Sequence, residues 1–200
     1  MTSGTNTHAA PGPGAHPPRQ TGDPRLPGDL GQKPLIDRML RVNHAGEYGA
    51  RRIYEGQAAV LRSGAAAETI KHMYEQELRH LRHFERLMVE RRTRPTLLQP
   101  LWHIAGFALG AGTAMLGERA AMACTVAVEE TIEKHYAGQA AQLGDDEAEL
   151  RQTIEEFRAE ELEHRDIGRE RGAEDTPGYE ALSAAIKTGS RIAIWLSERV

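Results

Sequence analysis

Two hundred residues with a formal net charge of −4 and a single cysteine, Cys124, exclude several classes of protein at once. The length suits one domain with a substantial core. The acidic balance gives no footing for nucleic acid, and one cysteine rules out an internal disulfide or a Cys-x-x-Cys metal or redox centre.

Residues 1–34 stand apart from the rest. "APGPGAHPPRQTGDPRLPGDLGQKP" is rich in Pro and Gly and nearly free of large apolar side chains, which predicts a disordered tail. It holds no apolar run of the secretory kind, and with Asp23, Asp29 and many prolines it makes a poor amphipathic transit peptide. A single folded domain is expected over 35–200. Few aromatics, abundant alanine and no strand-like alternation make that domain all-α.

Four long amphipathic helices follow from the apolar spacing. The first covers roughly 35–62, with Ile36, Met39, Leu40, Ile53, Val60 and Leu61 as its apolar positions. "SGAAAE" reads as a turn leading into a second helix over roughly 67–91, which Pro95 and Pro100 prevent from continuing. A third spans roughly 117–143. "GDDE" turns the chain into a fourth over roughly 146–171. Two further segments are more apolar: "PLWHIAGFALGAGTAMLG" and "YEALSAAIKTGSRIAIWLSERV". The first is shorter than the roughly 20 apolar residues a spanning helix needs, and Lys187 and Arg191 interrupt the second. Both suit either ordinary helices covering the bundle or helices lying in a membrane interface. In the second case Leu97, Leu98, Leu101, Trp102, Ile104, Phe107 and Leu109, with Ile192, Ile194, Trp195 and Leu196, form the apolar surface. Trp102 and Trp195 then lie at interfacial depth, and Lys187, Arg191 and Arg199 lie near anionic head groups.

The chemistry lies in two Glu-x-x-His pairs, Glu77–His80 and Glu161–His164. On a helix, residues i and i+3 share a face, so a carboxylate and an imidazole can reach one ion. With 22 Glu and nine His, about one such pair arises by chance, so a lone match is cheap. Depth in the fold is more demanding. If the first two helices form an antiparallel hairpin turning near Gly64, Glu47 lies within about one turn of the level of Glu77. If the other two turn near Asp145, Glu129 lies level with Glu161. Each half then reads Glu, about 30 residues, then Glu-x-x-His, the pattern of a di-iron carboxylate bundle. Four carboxylates balance two divalent ions, and the oxygen and nitrogen donors suit Fe or Mn. Gly46 and Gly49 flank Glu47, which suggests close approach by another helix. Spacing leaves Glu129 and Glu130 both able to face inward. His72, His83 and His103 have no matching partners, and Cys124 reads as a small buried residue.

Several long motifs carry a resemblance: "HAGEYGARRIYEGQ", "RPTLLQPLWHIAGFALGAGTAMLG", "ACTVAVEETIEKHY", "EELEHRDIG" and the closing "LSERV". In this order they resemble the demethoxyubiquinone hydroxylase family of ubiquinone biosynthesis, across nearly all of 35–200. The poor transit-peptide character of the tail suits a bacterial member. The resemblance implies a ferritin-like four-helix bundle with two additional apolar helices contacting the membrane. It implies two Fe ions per chain held by Glu47, Glu77, His80, Glu129, Glu161 and His164, with Glu77 and Glu161 bridging, and so selects Glu129 over Glu130. It further implies a supporting or electron-entry role for His135 and Tyr136, placed near the iron site.

The expected activity is an O2-dependent monooxygenation of a polyprenyl methoxy-benzoquinol. No dinucleotide fingerprint appears, so electrons would come from NADH, a reductase or the quinol itself. The expected location is the cytoplasmic side of the cell membrane, bound peripherally, with other ubiquinone-biosynthesis proteins as possible partners. An iron-storage or rubrerythrin-like peroxide-scavenging protein is the competing reading. Its fused rubredoxin-type form is excluded by the single cysteine. A metal-free, membrane-surface helical adaptor is a third.

Overall fold

The computed structural model describes residues 31–200, so nearly all of the Pro/Gly-rich segment lies outside the described residues. The described residues form six α-helices and no strand: α1 (Gln32–Val60), α2 (Ala65–Arg91), α3 (Gln99–Met115), α4 (Glu118–Ala140), α5 (Ala148–Glu170) and α6 (Tyr179–Ser197). Single 3-10 turns at Asp145–Glu147 and Ala173–Asp175 lead into α5 and toward α6. Helix α1 starts three residues before the expected Leu35. Pro34 is tolerated in its first turn, where a backbone N–H has no helical partner to lose. The turn between α1 and α2 is tighter than "SGAAAE" implied, because Ala65 is already helical. Gly117, at φ +114°, separates α3 from α4 with a backbone conformation that side chains rarely adopt.

Helices α1 and α2 form one hairpin and α4 and α5 another; α3 lies on α1, and α6 lies on α4. Helix α4 is buried on nearly every side, which its run of small residues (Ala120, Ala121, Ala123, Ala127) permits. Antiparallel pairing puts two apolar clusters at different depths. One gathers Leu40, Phe84, Tyr136 and Ile154; the other gathers Tyr54, Met73, Met122 and Val126. In all four helices, the residues between these clusters in sequence are the charged ones singled out above. The apolar ends exclude water from what lies between them.

The close helix approach expected at Gly46 and Gly49 touches only the Gly49 carbonyl and is centred further along α1. A methyl group on either would meet nothing within 4 Å. One on Gly110 of α3 would overlap the carbonyl oxygen of Ile53, one on Gly56 of α1 would overlap that of Phe107, and one on Gly106 would come within 2.9 Å of the Gly49 oxygen. Gly56, Gly106 and Gly110 therefore set the α1–α3 separation, while Gly46 and Gly49 leave open space.

Candidate metal centre

Glu47 from α1, Glu77 and His80 from α2, Glu129 from α4, and Glu161 and His164 from α5 meet in the middle layer, each at most 2% exposed. They form two groups: Glu47, Glu77, His80 and Glu161 in one, and Glu77, Glu129, Glu161 and His164 in the other. Within each group the ligand-capable atoms lie within 4.8 Å of one another, and Glu77 and Glu161 are common to both. The imidazoles present Nδ1 to the carboxylates: His80 Nδ1 lies 3.4 Å from both Glu47 Oε2 and Glu161 Oε1, and His164 Nδ1 lies 3.3 Å from Glu77 Oε1.

A metal ion fits this arrangement. Both oxygens of Glu77 and Glu161, Oε2 of Glu47 and Glu129, and Nδ1 of both histidines are buried without a hydrogen-bond partner. A buried polar atom left unpaired costs about 1–3 kcal/mol, so eight of them around one space amount to a standing demand for a cation. Without one, protons serve. Burial, reinforced by the Glu161 and Glu47 charges, pushes Glu77 well above the usual carboxylate range. Burial, with Glu161 and Glu77, does the same to Glu129. Burial opposes charge on Glu161 too, but the His164 and His80 imidazoles, each with Nδ1 3.4 Å from one of its oxygens, hold it below the usual range. Burial would likewise lower His80, but its contacts with Glu161 and Glu47 raise it to about 11. His164 is raised by Glu161 against the same opposition.

Each outer carboxylate is held by a tyrosine of the opposite hairpin. Tyr54 of α1 donates to Glu129 Oε1 at 2.8 Å, and Tyr136 of α4 donates to Glu47 Oε1. Both phenols are deprotonation-resistant, because burial and then the facing carboxylates raise them well above the ordinary value.

A family profile described as "Ubiquinone biosynthesis protein COQ7" matches residues 34–197. The chain belongs to this family. It is 60% identical over 183 residues to a 3-demethoxyubiquinol 3-hydroxylase of Rhodospirillum rubrum, covering 91% of this chain and 86% of that protein. It is 54% identical over 169 residues to the human NADPH-dependent 3-demethoxyubiquinone 3-hydroxylase, mitochondrial, covering 82% and 78%. A Saccharomyces cerevisiae protein named 5-demethoxyubiquinone hydroxylase, mitochondrial, is 40% identical over 186 residues, covering 84% and 80%.

In this family member the six residues singled out in the sequence converge, and the Glu129–Glu130 ambiguity has a physical answer. Glu130 turns outward to Arg169 and Lys187, each at 2.6 Å. Lys187 is thereby committed to an ion pair rather than left free for head groups. His135 and Tyr136 part company. Tyr136 reaches the carboxylates, whereas His135 faces a small polar pocket and accepts from Gln139, whose amide pairs with Asn43. His103 is exposed and bonded through Nδ1 to Tyr48, and His83 sits between Phe84 and Phe157. Cys124 is fully buried, and burial pushes its thiol up to about 12. Sequence reasoning missed Tyr54. It stands seven residues after Glu47, as Tyr136 stands seven after Glu129, and that repeated spacing was the available signal.

An apolar cavity of about 550 Å³ lies between α1, α3, α4 and α6. Gly46, Gly49, Ile53, Leu109, Val128 and Ile186 contribute to its wall. Gly46 and Val128 are the chain neighbours of Glu47 and Glu129, so the cavity lies at the same depth along α1 and α4 as the metal centre, although none of the six central residues lines it. Its far side is α3 and α6, whose outer faces expose Leu101, Ile104, Ile192 and Trp195, with Leu97 exposed in the turn before α3. Of the residues expected on this surface, Phe107 is half-buried under the Arg52 guanidinium, and Leu109 points into the cavity wall. No described helix is long and apolar enough to cross a membrane.

Proposed function

We propose that this chain is a 3-demethoxyubiquinol 3-hydroxylase, an enzyme of ubiquinone biosynthesis built as a ferritin-like di-iron monooxygenase over residues 35–200. The observation that carries the reading is the pair of buried carboxylates, Glu77 and Glu161, shared by two four-residue groups beside an apolar cavity. The names of the bacterial and human relatives supply the substrate class. Glu47 and His80 would hold one iron, Glu129 and His164 the other, and Glu77 and Glu161 would bridge them. Iron held there supplies the reductive activation of O2. The overall balance is substrate C–H plus O2, two electrons and two protons giving C–OH and water.

The protein's own contribution is orientation and dryness. Tyr54 and Tyr136 fix Glu129 and Glu47 by donating to Oε1 of each, which leaves Oε2 of each for the metal. The two apolar clusters close the layer to water from both ends. The cavity takes the quinol ring and the first part of its tail, with the glycines at 46 and 49 giving a flat wall for the ring. Its volume lies in the range of small-molecule sites. The exposed apolar residues of α3 and α6 would rest in the membrane interface on the cytoplasmic side, where a polyprenyl quinol resides. Reducing equivalents would come from a pyridine nucleotide, a reductase or the quinol itself.

The test is reconstitution of the purified full chain with Fe(II), followed by O2 and a demethoxyubiquinol in detergent or liposomes. The expected result is about two irons per chain and a product carrying one atom from labelled O2. Iron binding without hydroxylation would favour the storage or scavenging alternative, and absence of metal would overturn the centre itself.

A further inference from the structure

The two hairpins repeat more than their six central residues. Asn43, Glu47, Tyr54 and Gln57 of α1 have the same spacing as Thr125, Glu129, Tyr136 and Gln139 of α4. Met73, Gln76, Glu77 and His80 of α2 have the same spacing as Phe157, Glu160, Glu161 and His164 of α5. The contacts repeat as well. The two tyrosines cross reciprocally to the two outer carboxylates. Gln139 pairs with Asn43 as Gln57 pairs with Thr125. The outward nitrogen of each histidine meets the residue just before the shared glutamate of the opposite hairpin: His164 Nε2 lies 2.8 Å from Gln76 Oε1, and His80 Nε2 lies 3.2 Å from Glu160 Oε2.

Here the symmetry of position conceals an asymmetry of chemistry. With Nδ1 turned to the centre, Nε2 carries the proton and donates it outward. The amide oxygen of Gln76 accepts weakly. The carboxylate of Glu160 draws the proton toward itself and leaves more electron density on Nδ1. One further difference favours the His80 side: Phe157 stacks on the His80 ring at 3.9 Å and 23°, fixing its plane. Arg79 holds Glu160 at 2.8 Å but draws on the same oxygen, which tempers the pull on the imidazole proton.

We infer that Glu160 is a positioning residue that makes His80 the stronger donor, so that the metal position served by Glu47 and His80 is the tighter one and fills first, while Gln76 leaves the His164 position weaker. The inference rests on the metal centre proposed above and deepens it. Outer partners of ligating histidines change metal affinity by about 10–100-fold. Glu160 is 30% exposed and shares the same oxygen with Arg79, which places its effect near the lower end, about tenfold.

The test is anaerobic titration of the purified full chain with Mn(II), free ion being counted by electron paramagnetic resonance. The wild type is expected to bind in two steps at least about tenfold apart. Glu160→Gln gives His80 the same amide acceptor that His164 has. It should weaken the first step until the two lie within a few-fold, with circular dichroism and the metal-free Tm unchanged. Gln76→Glu should instead tighten the second step. Arg79→Met, which loses the surface ion pair but keeps the histidine contact, should preserve the separation; if it merges the steps as Glu160→Gln does, the ion pair and not the histidine contact is responsible, and the inference fails. It also fails if wild type fills two equal positions, or if Glu160→Gln leaves the ratio intact. A wild type that binds no Mn(II) overturns the metal centre itself, a distinguishable outcome.

Discussion

Six ionisable side chains packed at 2% exposure or less are tolerable only if their charges are matched. Glu161 lies at the middle of that balance, since it belongs to both groups and takes contacts from both histidines. Glu161→Ala should abolish metal binding, a larger loss than the roughly 10–100-fold expected for an outer partner, with helicity by circular dichroism retained. Glu163→Ala, at an exposed position on the same helix, should bind metal as the parent does. Proton linkage gives a second expectation. Glu77, Glu129 and His80 all have folded values above their ordinary ones. Above the ordinary imidazole value, the lowered His44, His83 and His135 are neutral in the fold and in the unfolded chain alike. There the raised groups keep protons that the unfolded chain has released, so the metal-free fold should lose stability as pH rises. For His80 the loss runs from about 6.5 toward 11. Metal displaces these protons, so its affinity should rise with pH. At 100 times its Kd it should raise Tm by about 5–10 °C. Urea midpoints with and without Mn(II) from pH 6.5 to 9 would diverge; parallel curves would contradict the protonation pattern.

At the scale of elements, the glycines of α1 and α3 divide into two functions that substitution can separate. Gly110→Ala drives a methyl into the Ile53 carbonyl, and backbone cannot yield as a flexible side chain can. A destabilisation of about 1–3 kcal/mol is expected, measured by chemical denaturation. Gly49→Ala meets nothing within 4 Å. It should leave stability unchanged or raise it by about 0.4–1 kcal/mol through the unfolded chain. Because Gly49 lines the cavity, the same substitution should raise KM for the quinol while metal stoichiometry stays the same. Equal stability losses at the two positions would show that the α1–α3 contact is not where the structure places it.

For the whole molecule, the arrangement is a dry polar layer flanked by two apolar plugs, with an apolar cavity at the same depth between it and the exposed apolar residues on and beside α3 and α6. Leu97, Leu101, Ile104, Ile192 and Trp195 are all more than half exposed there, and Arg199 stacks on Trp195 at 4.2 Å. Changing these five to Ser should lower partitioning onto anionic liposomes by at least about tenfold, from apolar area alone. The variant should keep its metal and its turnover of a short-tailed quinol. Undiminished cosedimentation would mean that another surface meets the membrane. Phe107 and Leu109 are poor choices for this test, since one supports Arg52 and the other forms the cavity wall.

The sequence by itself determined the helical class, the two hairpins, and the six residues that converge. Helical period and distance from a turn are one-dimensional quantities, and in an antiparallel pair they fix depth directly. The same logic would have reached Tyr54 had the seven-residue interval from Glu47, repeated between Glu129 and Tyr136, been followed. Other features depended on how helices sit against one another, which no interval along one helix encodes. Glu129 and Glu130 both lie near the inward arc of α4, and only the nearness of Arg169 and Lys187 turns Glu130 outward. Gly46 and Gly49 look like close-approach residues in the chain, yet the third helix crosses α1 one to two turns further on and leaves them facing a cavity. That Glu160 meets His80 while Gln76 meets His164 joins residues some 80 positions apart, and only the packing of α2 against α5 brings them together.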